Sequence, residues 1–441
     1  MPHCKMPQYS EIEKTVADAV GGATDELVAL AQDLVRICTE NIPPGGQERA
    51  GQQFLQRWLG ERNIDSQLID LTRLDGLTEH ELFHRGEDYE RRDYEGRPNL
   101  AARLKGTGGG RTLIFSCHMD TIAGDKAQWQ RDPFGAKIEG NHLYGQGAFD
   151  MKGGMAAQAM AFKVLRKMDF SLAGDIIFET VVDEEHAGCN GTLANRVAGF
   201  NGDAAILPEP SSLQVYSAFK GSRIIHLTLK GKSGMSFAGE ELVNPVDHIG
   251  LLIEGVKRFR DVRRKKIPRV VEYQDDPDPA PIFMNKLQAG AFNLDVPMAI
   301  PEQCTVELYI QTMPGETHEE IDSQLLEYLD GLVARTPELQ QFELTHRIRQ
   351  RWLPGGHVAA DSPVVQVLEE TTGQILGRAV KATGAPFPCD AFVFHHFGIP
   401  AVVLGPHGAG CHGPDEYVEI DSLVQLAKIM AVTAMRFCGL S

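Results

Sequence analysis

Long apolar runs are missing from this chain of 441 residues. No stretch approaches the ~18 uninterrupted apolar residues of a membrane span. The opening MPHCKMPQYSEIEK lacks the apolar centre of a signal peptide. Clustered cysteines are missing as well. Cys4, Cys38, Cys117, Cys189, Cys304, Cys389, Cys411 and Cys438 are scattered and form no CxxC pair. In a chain of this length they read as free thiols in a reducing cytoplasm, which is where we expect the protein. Positive charge is scarce: 43 Lys and Arg stand against 60 Asp and Glu, for a net charge of −17. That disfavours a nucleic-acid or anionic-membrane partner and fits a solvated acidic surface. Repeats and low-complexity tracts are absent. A hydrophobic content of 42% and a charged content of 23% are ordinary for a soluble globular protein.

The length exceeds what one core usually supports, so two domains are expected. Residues 24–40 carry Leu27, Leu30, Ala31, Leu34 and Val35 at helical spacing. The loop NIPPGGQE follows. Residues 76–98 are strongly charged and read as a surface insertion. TLIFSC (112–117), DIIFETVV (175–182) and AAIL (204–207) read as buried strands, and 153–168 as a helix with small residues at its start. Strands alternating with helices predict an α/β fold, a mostly parallel sheet with helices on both faces. The texture changes near Phe219. SRIIHLTLKG (222–231) and CTVELYIQT (304–312) alternate as half-exposed strands do, with helices expected over 245–260 and 318–335. That is a smaller α+β module with an antiparallel sheet. From about Arg349 the first texture returns, with a helix over 362–377, a strand at 401–405 and a last helix over 421–437. The expected division is residues 1–217 with 340–441 as one discontinuous domain, interrupted by 218–339.

A spaced set of acids and histidines carries the chemistry. His118 and Asp120 stand in SCHMDT, Asp150 in GQGAFDMKGG, Glu184 and Glu185 in VVDEEHAG, Glu209 in ILPEPSS and His412 in GAGCHGPDEY. Each sits where an apolar run stops or a Gly-rich turn begins, as ligands do at strand ends of α/β folds. Two imidazoles and three carboxylates can hold two divalent metals that share one bridging carboxylate. One Glu is then left over to handle a proton, which is the equipment for hydrolysis by metal-activated water. Taken singly, each residue has an ordinary reading: a structural histidine, a solvated Glu pair, a helix N-cap at Asp150. The ordered set does not. For His395 and His396 in FVFHHFG the ordinary reading holds, because they follow an apolar strand pattern and suit packing or outer-shell roles. His186 has no assigned role.

With these motifs the chain resembles the M20 metallopeptidase and deacylase family, which includes acetylornithine deacetylase, succinyl-diaminopimelate desuccinylase and bacterial carboxypeptidase G. The resemblance runs from VRICTENIPPGG to EYVEIDSL. The HxD, the D-x-K-G-G, the paired Glu and the later Glu, 24 residues after Glu185, all occur in family order. It implies that His118 and Glu209 bind one metal, that Glu185 and His412 bind the other, and that Asp150 bridges them. Asp120 would stand behind His118 and fix its tautomer. Glu184 would take a proton from the bridging water and deliver it to the leaving amine. The donor set suits Zn²⁺, with Mn²⁺ or Co²⁺ as alternatives. The resemblance also implies a homodimer formed through the inserted lid domain.

Two departures concern substrate recognition. Family deacylases carry a lid His in G-x-x-x-H-S that donates to the oxyanion. Here GKSGMS places Met235 there, and a thioether cannot donate. Losing one oxyanion donor typically costs about 10²–10³ in rate unless it is replaced. The family's D-x-R arginine, which helps hold a substrate carboxylate, is Gln311. Asn293 in GAFNLD or Arg351 in RQRWLPGG could substitute, and Asn244 and Asn293 match polar positions of the family's lid. Glu240 and Glu241 read as surface. The expected activity is hydrolysis of an amide-type C–N bond in a small molecule. A formamide or an aromatic amine is the alternative that Met235 and Gln311 suggest. A non-catalytic binding protein is the third reading, and Glu184 argues against it, because binding needs no general base.

Overall fold

In the computed structural model the described residues are 10–85, 92–235, 239, 241–267, 270–290 and 299–441. The chain divides into two compact units. One comprises Met1–Ala218, Val358–Ala385 and Cys389–Ser441, and the other Phe219–His357 with Pro386–Pro388. No helix among the described residues is long and apolar enough to cross a membrane.

The first unit is built on a mixed sheet. Its strands run in the order Tyr216–Phe219, Ala401–Val403, Ala204–Leu207, Leu113–His118, Ile176–Val181, Asn99–Leu104, Ser66–Ile69. The middle four are parallel to one another. The flanking strands pair antiparallel, so the expected parallel sheet forms only at the centre. Both Leu113–His118 and Ile176–Val181 are buried along their whole length. That is why their sequences read as unbroken apolar runs rather than alternating ones.

Helices pack against this sheet. Thr24–Arg36 buries Leu27, Leu30, Ala31, Leu34 and Val35, each large aliphatic side chain contributing roughly 1.5–3 kcal/mol. Gly153–Lys167 is buried continuously from Gly153 to Leu165. Its small residues allow close approach: a Cβ on Gly154 would lie 2.6 Å from the carbonyl oxygen of Pro208. The last helix, Ile420–Cys438, packs on Gly153–Lys167 and on Leu113–His118.

The second unit is a four-stranded antiparallel sheet in the order Ile282–Ala289, Gln303–Thr312, Gly221–Lys230, Glu343–Ile348. Helices Ile249–Lys266 and His318–Arg335 bury Leu252, Val256, Phe259, Leu325 and Leu329 with Ile225, Leu227 and Leu229 in one core. A capping box of Thr317 and Glu320 starts the second of these helices.

Four expectations need correction. The inserted unit extends to His357 rather than to 339, because Glu343–Ile348 pairs residue by residue with 225–230 of the central strand. The helix expected over 245–260 begins as a short turn at Pro245–Asp247 and then runs from Ile249 to Lys266. Arg263, Arg264, Lys265 and Lys266 in its last turn complement the negative end of the helix dipole. His395 and His396 lie on a helix, Ala391–His396, not a strand. The charged segment 76–98 is not merely surface, because Leu77, Tyr94 and Arg97 are buried.

Candidate functional site

Three adjacent parallel strands end at the site. His118 is the last residue of Leu113–His118 and stands opposite Val181. Glu184 and Glu185 follow the end of Ile176–Val181, and Glu209 lies two residues beyond Ala204–Leu207. Ligands beyond the carboxyl ends of parallel strands are the usual site placement in such sheets.

Asp150 is set by a tight turn, Ala148–Lys152, that leads into the helix Gly153–Lys167. The turn's backbone N–H groups at Gly147, Phe149 and Asp150 all donate to the Glu416 carboxylate, at 2.8, 2.8 and 2.9 Å. Gly147 has φ 75°, and a Cβ there would lie 2.4 Å from Thr121 Cγ2, so only glycine fits.

The two oxygens of Asp150 face different imidazoles. Oδ1 is 3.2 Å from His118 Nε2, and Oδ2 is 3.4 Å from His412 Nε2. Glu209 Oε2 is 3.8 Å from the same His118 nitrogen, and Glu185 Oε2 is 2.9 Å from His412 Nε2. The five side chains expected as metal ligands are therefore brought together. Cys411 joins them, its Sγ donating to Asp150 Oδ2 at 2.9 Å.

Charge explains the protonation of this cluster. Among the described residues, the ion-pair partners of Asp150, Glu185 and Glu209 are His118 and His412 only. Burial, then the neighbouring Glu209, pushes the Glu184 carboxyl well above its ordinary range. Burial likewise raises Glu209 to about 7, with Asp150 and Glu185 adding to the rise against His118. Burial opposes charge on His412, but hydrogen bonds with Asp150, Cys411 and Glu185 prevail and raise it. Four carboxylates in a buried site, with no lysine or arginine ion-pair partner among the described residues, form a donor set that calls for cations. The residues fit two divalent ions that share Asp150.

Asp120 stands beside His118 with its main chain nearest the imidazole. His118 Nδ1 is 2.8 Å from the backbone oxygen of Asp120, whereas the carboxylate Oδ1 is 3.8 Å away. The tautomer is thus held by the main chain. The Asp120 carboxylate instead accepts the backbone N–H groups of Glu184 and Glu185, at 3.2 and 3.0 Å, and the Asn41 amide at 2.9 Å. Behind it, Asn41 also donates to Asp183, which accepts the Tyr94 hydroxyl at 2.5 Å. Arg97 makes two hydrogen bonds to Glu48, at 2.9 and 2.5 Å, and lies 3.9 Å from Asp183.

Sequence reasoning missed Cys411, Glu416, Asn41, Asp183 and Asp390. The first two sit inside the GAGCHGPDEY motif that supplied His412. Asp183 immediately precedes the Glu pair. Asp390 is buried, accepts the Thr192 hydroxyl at 2.5 Å, and is raised to about 7 by burial. His186 is half-buried, with Nε2 3.2 Å from the Asn41 carbonyl. His396 pairs with Glu81 at 3.2 Å, and His395 Nε2 lies 3.4 Å from the Ala401 carbonyl.

Of the residues expected to read substrate, Gln311, Asn244, Met235 and Arg351 lie in the second unit. Gln311 is buried and its amide donates to the Pro386 carbonyl at 2.9 Å. Asn244 accepts the Val246 N–H at 3.1 Å as the cap of the short turn. Met235 is 47% exposed and Arg351 is half-buried. Asn293 and Glu240 lie outside the described residues.

A cavity of about 210 Å³ adjoins the ligand cluster in the first unit, lined among others by Trp129, Gln128, Gln146, Glu185 and His412. A larger cleft of about 860 Å³ lies along residues 63–67 and 101–105, away from every acid and imidazole of the cluster.

Residues 114–436 match the family model described as peptidase family M20/M25/M40. The chain is 26% identical to N-formyl-4-amino-5-aminomethyl-2-methylpyrimidine deformylase of Halalkalibacterium halodurans, over 99% of both chains. It is 30% identical to acetylornithine deacetylase of Proteus mirabilis, over 78% of this chain and 83% of that one. Among solved structures it resembles human carnosine dipeptidase 1 in fold, with a TM-score of 0.73 at 14% identity, over 98% of this chain and all of that one.

Proposed function

Since this chain belongs to the peptidase family M20/M25/M40, we propose that it hydrolyses the amide bond of a small N-formyl or short N-acyl amine that carries no α-carboxylate. Two divalent ions, Zn²⁺ foremost and Mn²⁺ or Co²⁺ as alternatives, are its proposed cofactors. The observation that carries this reading is Asp150, whose two oxygens face His118 and His412 separately. His118 and Glu209 would hold one ion and Glu185 and His412 the other. Bound there, the ions would supply polarisation of the substrate carbonyl and activation of the attacking water.

The chain's own groups do the rest. Glu184 accepts the proton of the attacking water and passes it to the leaving amine. Its burial, which favours the protonated form, suits a group that must hold that proton between two steps. Asp120 fixes the peptide that carries Glu184 and Glu185, and Glu416 fixes the turn that carries Asp150.

Two observations support a substrate without a carboxylate. Gln311 offers no positive charge, and its amide is engaged by Pro386. The deformylase relative is matched along 99% of both chains, against 78% of this chain for the acetylornithine deacetylase. The higher identity of the latter favours a second reading, hydrolysis of an N-acetyl amino acid. The second unit is proposed as lid and dimer contact, and a monomer by light scattering would remove the dimer.

The test is a panel of formylated, acetylated and succinylated amines, with and without an α-carboxylate, in the presence of Zn²⁺, Mn²⁺ or Co²⁺. Metal-dependent formate release from carboxylate-free amines is expected. Preference for N-acetyl amino acids would restore the second reading, and no turnover by the metal-loaded protein would overturn both.

A further inference from the structure

Cys411 has no part in the reading above, yet its sulfur reaches the same carboxylate oxygen as His412. Sγ stands 2.9 Å from Asp150 Oδ2, and His412 Nε2 stands 3.4 Å from that oxygen. The donor atoms of Asp150, Cys411 and His412 all lie within 4.8 Å of one another. Glu185 Oε2 approaches the same His412 nitrogen, at 2.9 Å, and its carboxylate also lies within 4.8 Å of donor atoms of His118 and Asp150. On the other half of Asp150 stand His118 and Glu209, a nitrogen and an oxygen donor. Cys117, the residue before His118, turns its thiol to the Glu179 carbonyl at 3.4 Å. Sulfur is therefore offered to one half of the cluster.

Resting on the two-ion reading, we propose that Cys411 is a fourth protein ligand of the ion held by Asp150, Glu185 and His412, and makes that position selective for a thiophilic cation such as Zn²⁺ or Co²⁺. The ordinary alternative is a solvent-facing thiol that only donates to a carboxylate. The chosen acceptor weighs against it. Asp150 Oδ2 is the oxygen a cation on this side would use, so the thiol proton stands where the ion would sit. On binding, the S–H bond breaks and the S–metal bond forms, and the proton, with its positive charge, leaves to solvent.

The loop is shaped for two consecutive donors. Gly410 and His412 both have positive φ, 82° and 59°, which turns the chain sharply on either side of Cys411. Four protein donors close a coordination sphere of the structural type, whereas three leave a position open for water or substrate. The Glu185 and His412 position would then hold its ion tightly, and the His118 and Glu209 position would be the open one. A soft sulfur donor favours Zn²⁺ over Mn²⁺, which prefers oxygen ligands.

The test is spectroscopic and needs no turnover. The full-length metal-free protein, its Cys411→Ser variant and, as a second replacement, Cys411→Ala are titrated with Co²⁺. The wild type is expected to show a near-ultraviolet thiolate-to-cobalt charge-transfer band. Both variants are expected to lose it while keeping the visible bands of bound Co²⁺. Competition between Zn²⁺ and Mn²⁺ should show the Zn²⁺ preference falling by roughly 10–100-fold in the variants. A wild type that binds two Co²⁺ without the band, or a band that survives in both variants, overturns the assignment and leaves the two-ion reading standing. Failure to bind Co²⁺ at all overturns both.

Discussion

The carboxylate of Asp120 accepts the backbone N–H of Glu185 at 3.0 Å, across 65 residues of sequence, and its other oxygen takes the N–H of Glu184. One buried side chain thus orients both the proposed base and a proposed ligand. In Asp120→Asn, an amide NH₂ would face a backbone N–H or the Asn41 amide, donor against donor. We expect kcat/KM to fall by roughly 10–100-fold, as for outer-shell metal-site changes. The His118 tautomer should be unaffected, because the main chain holds it. NMR of the imidazole protons checks the second statement. An unchanged kcat/KM would remove the role given to Asp120.

Glu184→Gln and Asp150→Ala should fail in different ways. The first removes a proton carrier and keeps the shape, so turnover should fall by about 10²–10⁴-fold with metal content nearly unchanged. The second removes the shared carboxylate, so the protein should lose metal as well as activity. Elemental analysis beside a rate assay separates them. Retention of more than a few per cent of activity in Glu184→Gln would exclude it as the base.

The cluster of acids and imidazoles was legible in the sequence because each member follows a buried strand or opens a turn of recognisable composition. His118, Asp150, Glu185, Glu209 and His412 converge in the structure as a result. Their supports were not legible, since their partners are backbone groups or distant residues. Nothing local to Asn41 announces a hydrogen bond to Asp120, 79 positions away. Tyr94 and Arg97 lie in a charged stretch whose composition reads as surface, yet both are buried beside Asp183. AFVF was misread because a short apolar run has the same pattern in a buried strand and a buried helix.

Glu416 should matter to stability as well as to metal binding. Glu416→Ala leaves the N–H groups of Gly147, Phe149 and Asp150 without their acceptor in a buried turn. At the lower end of the cost of an unsatisfied buried donor, the loss is about 3 kcal/mol. Chemical denaturation measures it. Metal content should fall in parallel because Asp150 is no longer held. A stability loss without loss of metal would separate Glu416 from the site.

Metal binding should depend on pH with a definite sign. Burial raises Glu209 from its ordinary 4.5 to about 7. Folding therefore favours its protonated form. That contribution is fully present below about 4.5 and is lost as pH rises through about 7. An ion must displace the proton, so affinity should weaken below pH 7, by up to about tenfold per pH unit for each proton displaced. Above pH 8 this group adds no further dependence, and the ion relieves a buried charge. The rise in Tm on adding Zn²⁺ should accordingly be larger at pH 8 than at pH 6. An equal rise at both would remove Glu209 from the ligand set.

Met235 offers the sharpest test of substrate class. It stands where family deacylases place an imidazole that donates to the oxyanion, and a thioether has no proton to give. In the proposed reading an acetylated amino acid would need that donor and a positive group for its carboxylate, and Met235 and Gln311 would supply neither. A formamide carries hydrogen on its carbonyl carbon. It is less crowded and more electrophilic than an acetamide, and so depends less on the missing donor. Met235 is exposed, which makes substitution by a similar-sized polar ring tolerable to the fold. Met235→His is expected to raise kcat on acetylated amines by at least about tenfold, part of the 10²–10³ that one oxyanion donor is worth. It should change formate release by less than about threefold on the same scale. The two rates measured on one preparation decide the matter. If wild-type protein already turns over N-acetyl amino acids near ~10⁴ M⁻¹s⁻¹, a value ordinary for enzymes, Met235 is a neutral replacement and another group supplies the hydrogen bond.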